Sequence, residues 1–162
     1  MGFCLLNNVA IAAAAALTSV DRVAIVDWDI HHGNGTQQAF YGSNRVLYCS
    51  VHQWNAFPLT GQAEERGYGD GTGFTINVPL SADAGGADYA LVFAEIFAPA
   101  IERFRPDLLI VSAGQDILHD DPLGGMQVRP RDLAHLTRLL RDAASLPLAL
   151  VLEGGYGPSH GE

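Results

Sequence analysis

The chain has 162 residues, 48% hydrophobic, 9% aromatic and 17% charged, which is long enough for one buried core and too apolar for disorder. All nine basic residues are arginine, so a phosphate-loop lysine, a pyridoxal Schiff base and a Ser-Lys dyad are excluded from this chain. With 18 acidic residues the net charge is −9, which opposes a phosphate backbone and leaves no direct nucleic-acid partner expected.

In chain order, the Ala-rich segment Asn8 to Thr18, with Asn7 or Asn8 as N-cap, predicts a buried helix. Its longest apolar run, Val9 to Leu17, is half of what a bilayer span needs, and no basic segment precedes an apolar run as in a signal peptide. No membrane partner and a cytoplasmic location are therefore expected. Arg22 to Val26, Val46 to Val51 and Thr75 to Val78 read as strands, with the Gly-rich stretch 67–73 as a loop. Helical spacing of Leu91, Phe93, Ala94, Phe97, Ile101 and Phe104 predicts a helix from Ala87 to Phe104, kinked at Pro99. A strand over Leu108 to Val111, a helix from Pro130 to Ala144 and a strand over Leu148 to Leu152 complete the series.

Short apolar strands alternating with helices predict an α/β class, with a parallel sheet covered on both faces. No repeat or linker divides the chain, so one domain or part of one is expected. Cys4 and Cys49 sit in apolar surroundings without CxxC spacing, which predicts two buried thiols and a reducing compartment.

In a parallel sheet, ligands bind beyond the carboxyl ends of the strands. Three such ends carry polar groups: Asp27-Trp-Asp-Ile-His-His-Gly33, Ser112-Ala-Gly-Gln-Asp116 and Glu153-Gly-Gly-Tyr156. In extended chain, Asp27, Asp29 and His31 share one side while Trp28 and Ile30 take the other. Two carboxylates this close repel unless a proton or a cation sits between them. Carboxylate and imidazole suit Zn, Fe(II), Mn or Co, and three protein ligands leave a position open. Asp116 is the natural third ligand beside Asp29 and His31, leaving Asp27 to orient a histidine or bind another cation. His32-Gly-Asn-Gly reads as a turn, and Asp120-Asp121-Pro122 as a solvated loop opening. His52, His119, His135 and His160 read as structural or solvent-exposed, and flanking glycines aim the Tyr156 hydroxyl into a site.

The blocks GFCLLNN (from Gly2), VDWDIHHGNGTQQAFY (from Val26), VLYCSVH (from Val46), FPLTG (from Phe57), VSAGQD (from Val111), DDPLGGM (from Asp120) and LEGGYG (from Leu152) together resemble the histone deacetylase and acetylpolyamine amidohydrolase family, which includes acetoin utilization proteins. The resemblance implies the arginase/deacetylase fold and hydrolysis of an acetylated amine. It implies that Asp29, His31 and Asp116 hold zinc, with iron(II) as the alternative, and that Tyr156 polarises the acetyl carbonyl. Phe3 and Phe57 resemble the walls of an acyl-lysine tunnel, and the Gly2 carbonyl the acceptor of the substrate amide. Asp27 and Asn34 resemble the relay partners of two tandem histidines, and asparagine at 34 is similar to the class II side of the family. A structural potassium ion is implied near Asp27, Asp29, His31, Ser50 and Val51, and a second around Phe40, Ser43 and Val46.

The family's tandem His-His pair lies just upstream of the GFC block, and His31-His32 is not that pair. The expectation is a partial catalytic domain over 1–162, lacking both flanks and turning over little by itself. Two other readings stand beside it: a non-catalytic fragment that binds metal or partner chains, and an arginase-like ureohydrolase, which needs a two-metal cluster. Substrates in reach of the resemblance are acetylated small molecules and acetyl-lysine proteins.

Overall fold

The computed structural model describes residues 4–158. Five strands, β1 (Val23–Asp27), β2 (Val46–Gln53), β3 (Thr75–Leu80), β4 (Leu108–Ala113) and β5 (Leu148–Leu152), form one sheet in the order β3-β2-β1-β4-β5. Every pairing is parallel. The chain grows outward from β1 through β2 to β3 and then crosses to β4, so the strand order reverses between β1 and β4. Asp27 sits at that reversal, in register with Ser50 on one side and Ser112 on the other.

Both faces of the sheet are covered, as the uninterrupted apolar strands require. On one face lie α3 (Gly86–Val92), α4 (Ala98–Phe104) and α5 (Pro130–Ala144), which bring Tyr89, Ile101, Phe104, Leu136 and Leu140 onto Ala24, Val26, Cys49, Leu109 and Val111. On the other, α1 (Asn8–Ala16) packs Val9 and Ala13 against Val23, Ile25, Tyr48 and Ile110. The Asn7 side chain caps α1 by accepting from the Ala10 amide at 2.8 Å. In α5, Pro130 stands at the first turn and Asp132 reaches back to the Arg129 amide at 2.9 Å, so the helix starts where its residues dictate.

The long helix of the 86–104 region departs from a simple kink. A wide π turn, Phe93–Phe97, joins α3 to α4, immediately before Pro99, whose missing N–H and bulky ring disrupt the ordinary hydrogen-bond ladder. Phe93 and Phe97 both remain fully buried through it.

Three expectations are corrected here. The turn expected over His32-Gly-Asn-Gly gives way at Asn34 to a helix, α2 (Asn34–Phe40); tertiary anchors at Thr36 and Gln37 override the poor helix propensity of Asn34 and Gly35. β1 runs one residue further than its apolar letters, which carries the Asp27 carboxylate into the sheet. Cys4 is exposed, and only Cys49 is a buried thiol. Residues Leu150 and Leu152 of β5 are also exposed, because β5 pairs with β4 and with no further strand among the described residues. No helix is long and apolar enough to cross a membrane.

Candidate metal centre

The strand-order reversal between β1 and β4 is where an open parallel sheet parts its loops and leaves a crevice. The loop after β1 delivers Asp29 and His31 to it, and the loop after β4 delivers Asp116. One ligand atom from each of the three lies within 4.8 Å of the others. His31 Nδ1 stands 3.2 Å from Asp29 Oδ1 and 3.2 Å from Asp116 Oδ2, so a single nitrogen faces both carboxylates. The Ile30 amide donates to Asp116 Oδ1 at 3.0 Å, and the His31 amide donates to Asp29 Oδ1 at 2.8 Å. Each carboxylate is thus oriented by backbone, not by rotamer preference alone.

The electrostatics favour a cation. Hydrogen bonds that the His31 ring donates to Asp116 and then Asp29 push its imidazole up to about 9, so in the protein by itself the imidazolium offsets one of the two carboxylate charges. Burial raises the Asp116 carboxyl, against the pull of its His31 contact. Borderline imidazole with two hard carboxylates is a donor set that suits a divalent transition ion, and replacing the His31 proton by such an ion brings the two carboxylate charges to neutrality. The residues present therefore fit the metal that the sequence predicted for them.

Asp27 lies outside the three-residue cluster, behind it at the end of β1, and its geometry differs from simple alternation. β1 ends at Asp27 and the chain bends over 29–31. Asp27 is 2% exposed; its Oδ1 accepts from the Asp29 amide at 3.2 Å and its Oδ2 from the Tyr48 hydroxyl at 2.9 Å. Burial, followed by the Asp29 charge, raises its carboxyl well above the ordinary range. Ser50 and Val51 are fully buried on β2 beside it. Trp28 and Ile30 point into the opposite core, as alternation predicted.

Tyr156 follows β5 and is half-exposed. Partial burial and then the charges of Asp116 and Asp29 raise its phenol, which places the ring within the field of the metal ligands and keeps its proton at neutral pH. Asn34 opens α2 with its side-chain carbonyl buried and without a hydrogen-bond partner among the described residues. Phe57 lies exposed on the loop after β2, preceding a cis Pro58. Ser43 and Phe40 share a turn at 2.9 Å leading to Val46 at the start of β2. Gly2, Phe3 and His160 lie outside the described residues.

Sequence reasoning missed a buried polar network beside this centre. His32, expected in a turn, is 1% exposed; Nε2 contacts Gln37 Oε1 at 3.0 Å and Nδ1 contacts Thr60 Oγ1 at 2.8 Å. Gln37 Oε1 also accepts from Asn77 Nδ2 at 2.7 Å, so it is His32 Nε2 that carries the proton. His52 Nε2 contacts the Gly61 carbonyl at 3.0 Å and its Nδ1 the Ser50 hydroxyl at 2.9 Å. Glu65 receives the amides of Gly61 and Gln62 at 3.0 and 2.9 Å. The loop that carries Phe57 is thereby tied at its far end to β2 and α2. Asp121, expected in solvent, is 6% exposed. The only signal for His52 was its place at the end of the apolar run Val46 to Val51; His32 and Asp121 had none.

Comparison with known proteins agrees with this architecture. The histone deacetylase domain model matches residues 1–162.

The chain belongs to the histone deacetylase family.

Among its relatives are histone deacetylase HDA1 of Candida albicans, 47% identical over 96% of this chain and 20% of that protein, and a probable deacetylase of Archaeoglobus fulgidus, 42% identical over 96% of this chain and 45% of that protein. The crystal structure of the HDA15 HD domain superposes with a TM-score of 0.93 at 43% identity, covering 97% of this chain and 46% of that one. The α/β arginase/deacetylase fold expected from the sequence is the one observed. The chain spans between 19% and 51% of the length of the curated relatives it matches.

Proposed function

We propose that this protein is a zinc-dependent deacetylase that hydrolyses an acetylated amine of the acetyl-lysine or acetylpolyamine type. The observation that carries the reading is the clustering of Asp29, His31 and Asp116 within the electrostatic reach of the protonated Tyr156 phenol. A zinc ion, with iron(II) as the alternative, held by those three side chains would supply Lewis acidity to an acetyl carbonyl and acidify a water.

The chain's own residues do the rest. Tyr156 donates a hydrogen bond to the acetyl oxygen as that oxygen gains negative charge. The orphaned Asn34 carbonyl is an acceptor suited to orienting a catalytic imidazole, and Asp27 is its counterpart at the end of β1. Phe57 walls the acyl chain, a role the resemblance also gives to Phe3, as it gives the Gly2 carbonyl the substrate amide N–H. Buried Asp27, with Ser50 and Val51 alongside, suits a structural potassium ion that offsets the burial of the carboxylate. The charge of −9 attracts cationic substrates such as polyamines or lysine-rich tails. A cytoplasmic site of action suits the free thiols Cys4 and Cys49.

A ureohydrolase of the arginase type would need a two-metal cluster with more Asp and His ligands, whereas the described residues hold a single group of three candidate ligands. The deciding experiment is hydrolysis of a fluorogenic acetyl-lysine substrate with metal content measured on the same sample. Weak turnover that Tyr156→Phe abolishes, with metal retained, is the expected result. Bound metal without turnover would instead make this chain a non-catalytic metal-binding module.

A further inference from the structure

The loops that follow β4 and β5 meet over the metal centre, and one buried carboxylate joins them. Asp121 Oδ1 accepts from the Leu123 amide at 2.8 Å, and Asp121 Oδ2 accepts from the Tyr156 amide at 2.7 Å. The two amides come from segments 33 residues apart in sequence, since 156 − 123 = 33. Asp121 is itself fixed, because its own amide donates to the Leu118 carbonyl at 3.0 Å and closes a turn. Its exposure of 6% contrasts with 57% for Leu123 and 50% for Tyr156, so a rigid anchor carries two side chains that face solvent.

A second bond ties the same two loops on the far side of Asp116. The Gln115 amide donates to the Gly154 carbonyl at 2.7 Å. The backbone of 154–156 is therefore clamped at both ends to the segment that supplies the metal ligand Asp116. Charge-assisted bonds from amides to a buried carboxylate are among the stronger protein hydrogen bonds, and the one from the Tyr156 amide restrains the Tyr156 backbone directly.

We propose that Asp121 is a positioning residue: by binding the Leu123 and Tyr156 amides together, its carboxylate sets the Tyr156 hydroxyl relative to Asp29, His31 and Asp116. This rests on the deacetylase reading for the role of Tyr156, but the placement itself does not. Asp121 touches neither substrate nor metal; it acts through the two amides.

The test combines residue-resolved amide hydrogen exchange with steady-state kinetics on the zinc-loaded chain, using Asp121→Asn, Tyr156→Phe and the double variant. Asparagine keeps the shape and replaces one acceptor oxygen by a donor. In the unaltered chain the Tyr156 and Leu123 amides are protected, and in Asp121→Asn at least one of them exchanges about tenfold faster or more while β1 and β4 keep their protection. With an acetyl-lysine peptide, kcat falls on the order of 10 to 10² with KM nearly unchanged, and the substitution costs nothing further when Tyr156 is already phenylalanine. An unprotected Tyr156 amide in the unaltered chain overturns the proposal whatever the variants do, and so does an equal kcat loss in both backgrounds. If the unaltered chain hydrolyses nothing, the deacetylase reading fails, and the exchange data alone decide the placement.

Discussion

Gly154 approaches Asp116 so closely that a methyl group on its Cα would stand 2.8 Å from Asp116 Oδ2 and 3.3 Å from Asp29 Oδ2. The loop after β5 thus forms a backbone wall against two metal ligands, with room for hydrogen only. At Gly114 the intrusion is worse, since an added Cβ would lie 2.6 Å from the Asp29 Cα. Gly154→Ala is expected to weaken zinc binding about 10- to 100-fold, the range for disturbed support of metal ligands. Gly114→Ala, which displaces backbone as well as a carboxylate tip, is expected to weaken it more. Competition against a zinc-sensitive chelating dye measures both.

Metal uptake should carry a proton signature. His31 titrates at about 9 in the metal-free protein, held there by Asp116 and Asp29. Below that value an incoming ion must displace a proton, so apparent affinity rises with pH, by about tenfold per unit, and levels off above 9. The metal-free fold responds in the opposite sense. Its His31 stabilisation is complete below pH 6.5 and is lost as pH rises through about 9. Calorimetric zinc titrations at pH 7 in buffers of different ionisation enthalpy should report close to one proton released from this residue.

His52 gives stability a separate acid limb. Burial first, and then the neighbouring His32, pull its imidazole down to about 4 from an ordinary 6.5. A group depressed in the folded state contributes fully above 6.5, and that contribution is lost as pH falls toward 4. The full loss amounts to about 3 kcal/mol at roughly 1.4 kcal/mol per unit. Urea unfolding between pH 4 and 7 should show the slope, and His52→Gln should remove most of it while lowering stability at pH 7 by about 1 to 2 kcal/mol.

Tyr156→Phe should separate folding from chemistry. The ring is half-exposed, so loss of the hydroxyl leaves the melting temperature and the bound metal essentially unchanged. Loss of the donor to the developing oxyanion lowers kcat on the order of 10² to 10³. A drop confined to KM would assign the hydroxyl to ground-state binding instead.

The sheet was legible because each strand is a short apolar run whose neighbours are helices, and buried parallel strands need no other pattern. The three-residue cluster was legible because Asp29, His31 and Asp116 all fall just past such runs, where topology must bring loop ends together. α2 was hidden because Gly33, Asn34 and Gly35 favour turns locally, and only contacts such as His32 with Gln37 make the segment helical. Asp121 was hidden for a related reason. Nothing in Asp-Asp-Pro tells a solvated carboxylate from one that collects amides from two loops, since one donor lies 35 residues further along the chain. Pro99 was read correctly as a disturbance, but the form it takes, a widened turn that keeps Phe93 and Phe97 inside, depends on the core.

β5 has a bearing on how the chain behaves in a tube. Its five residues, Leu-Ala-Leu-Val-Leu, carry no charge and no proline, and they leave Leu150 and Leu152 in water along an edge unpaired among the described residues. An edge of that kind is a template for another strand. Self-association of this chain should therefore begin at β5 and grow steeply with concentration, and a single lysine at Leu150 should suppress it without reaching the metal centre.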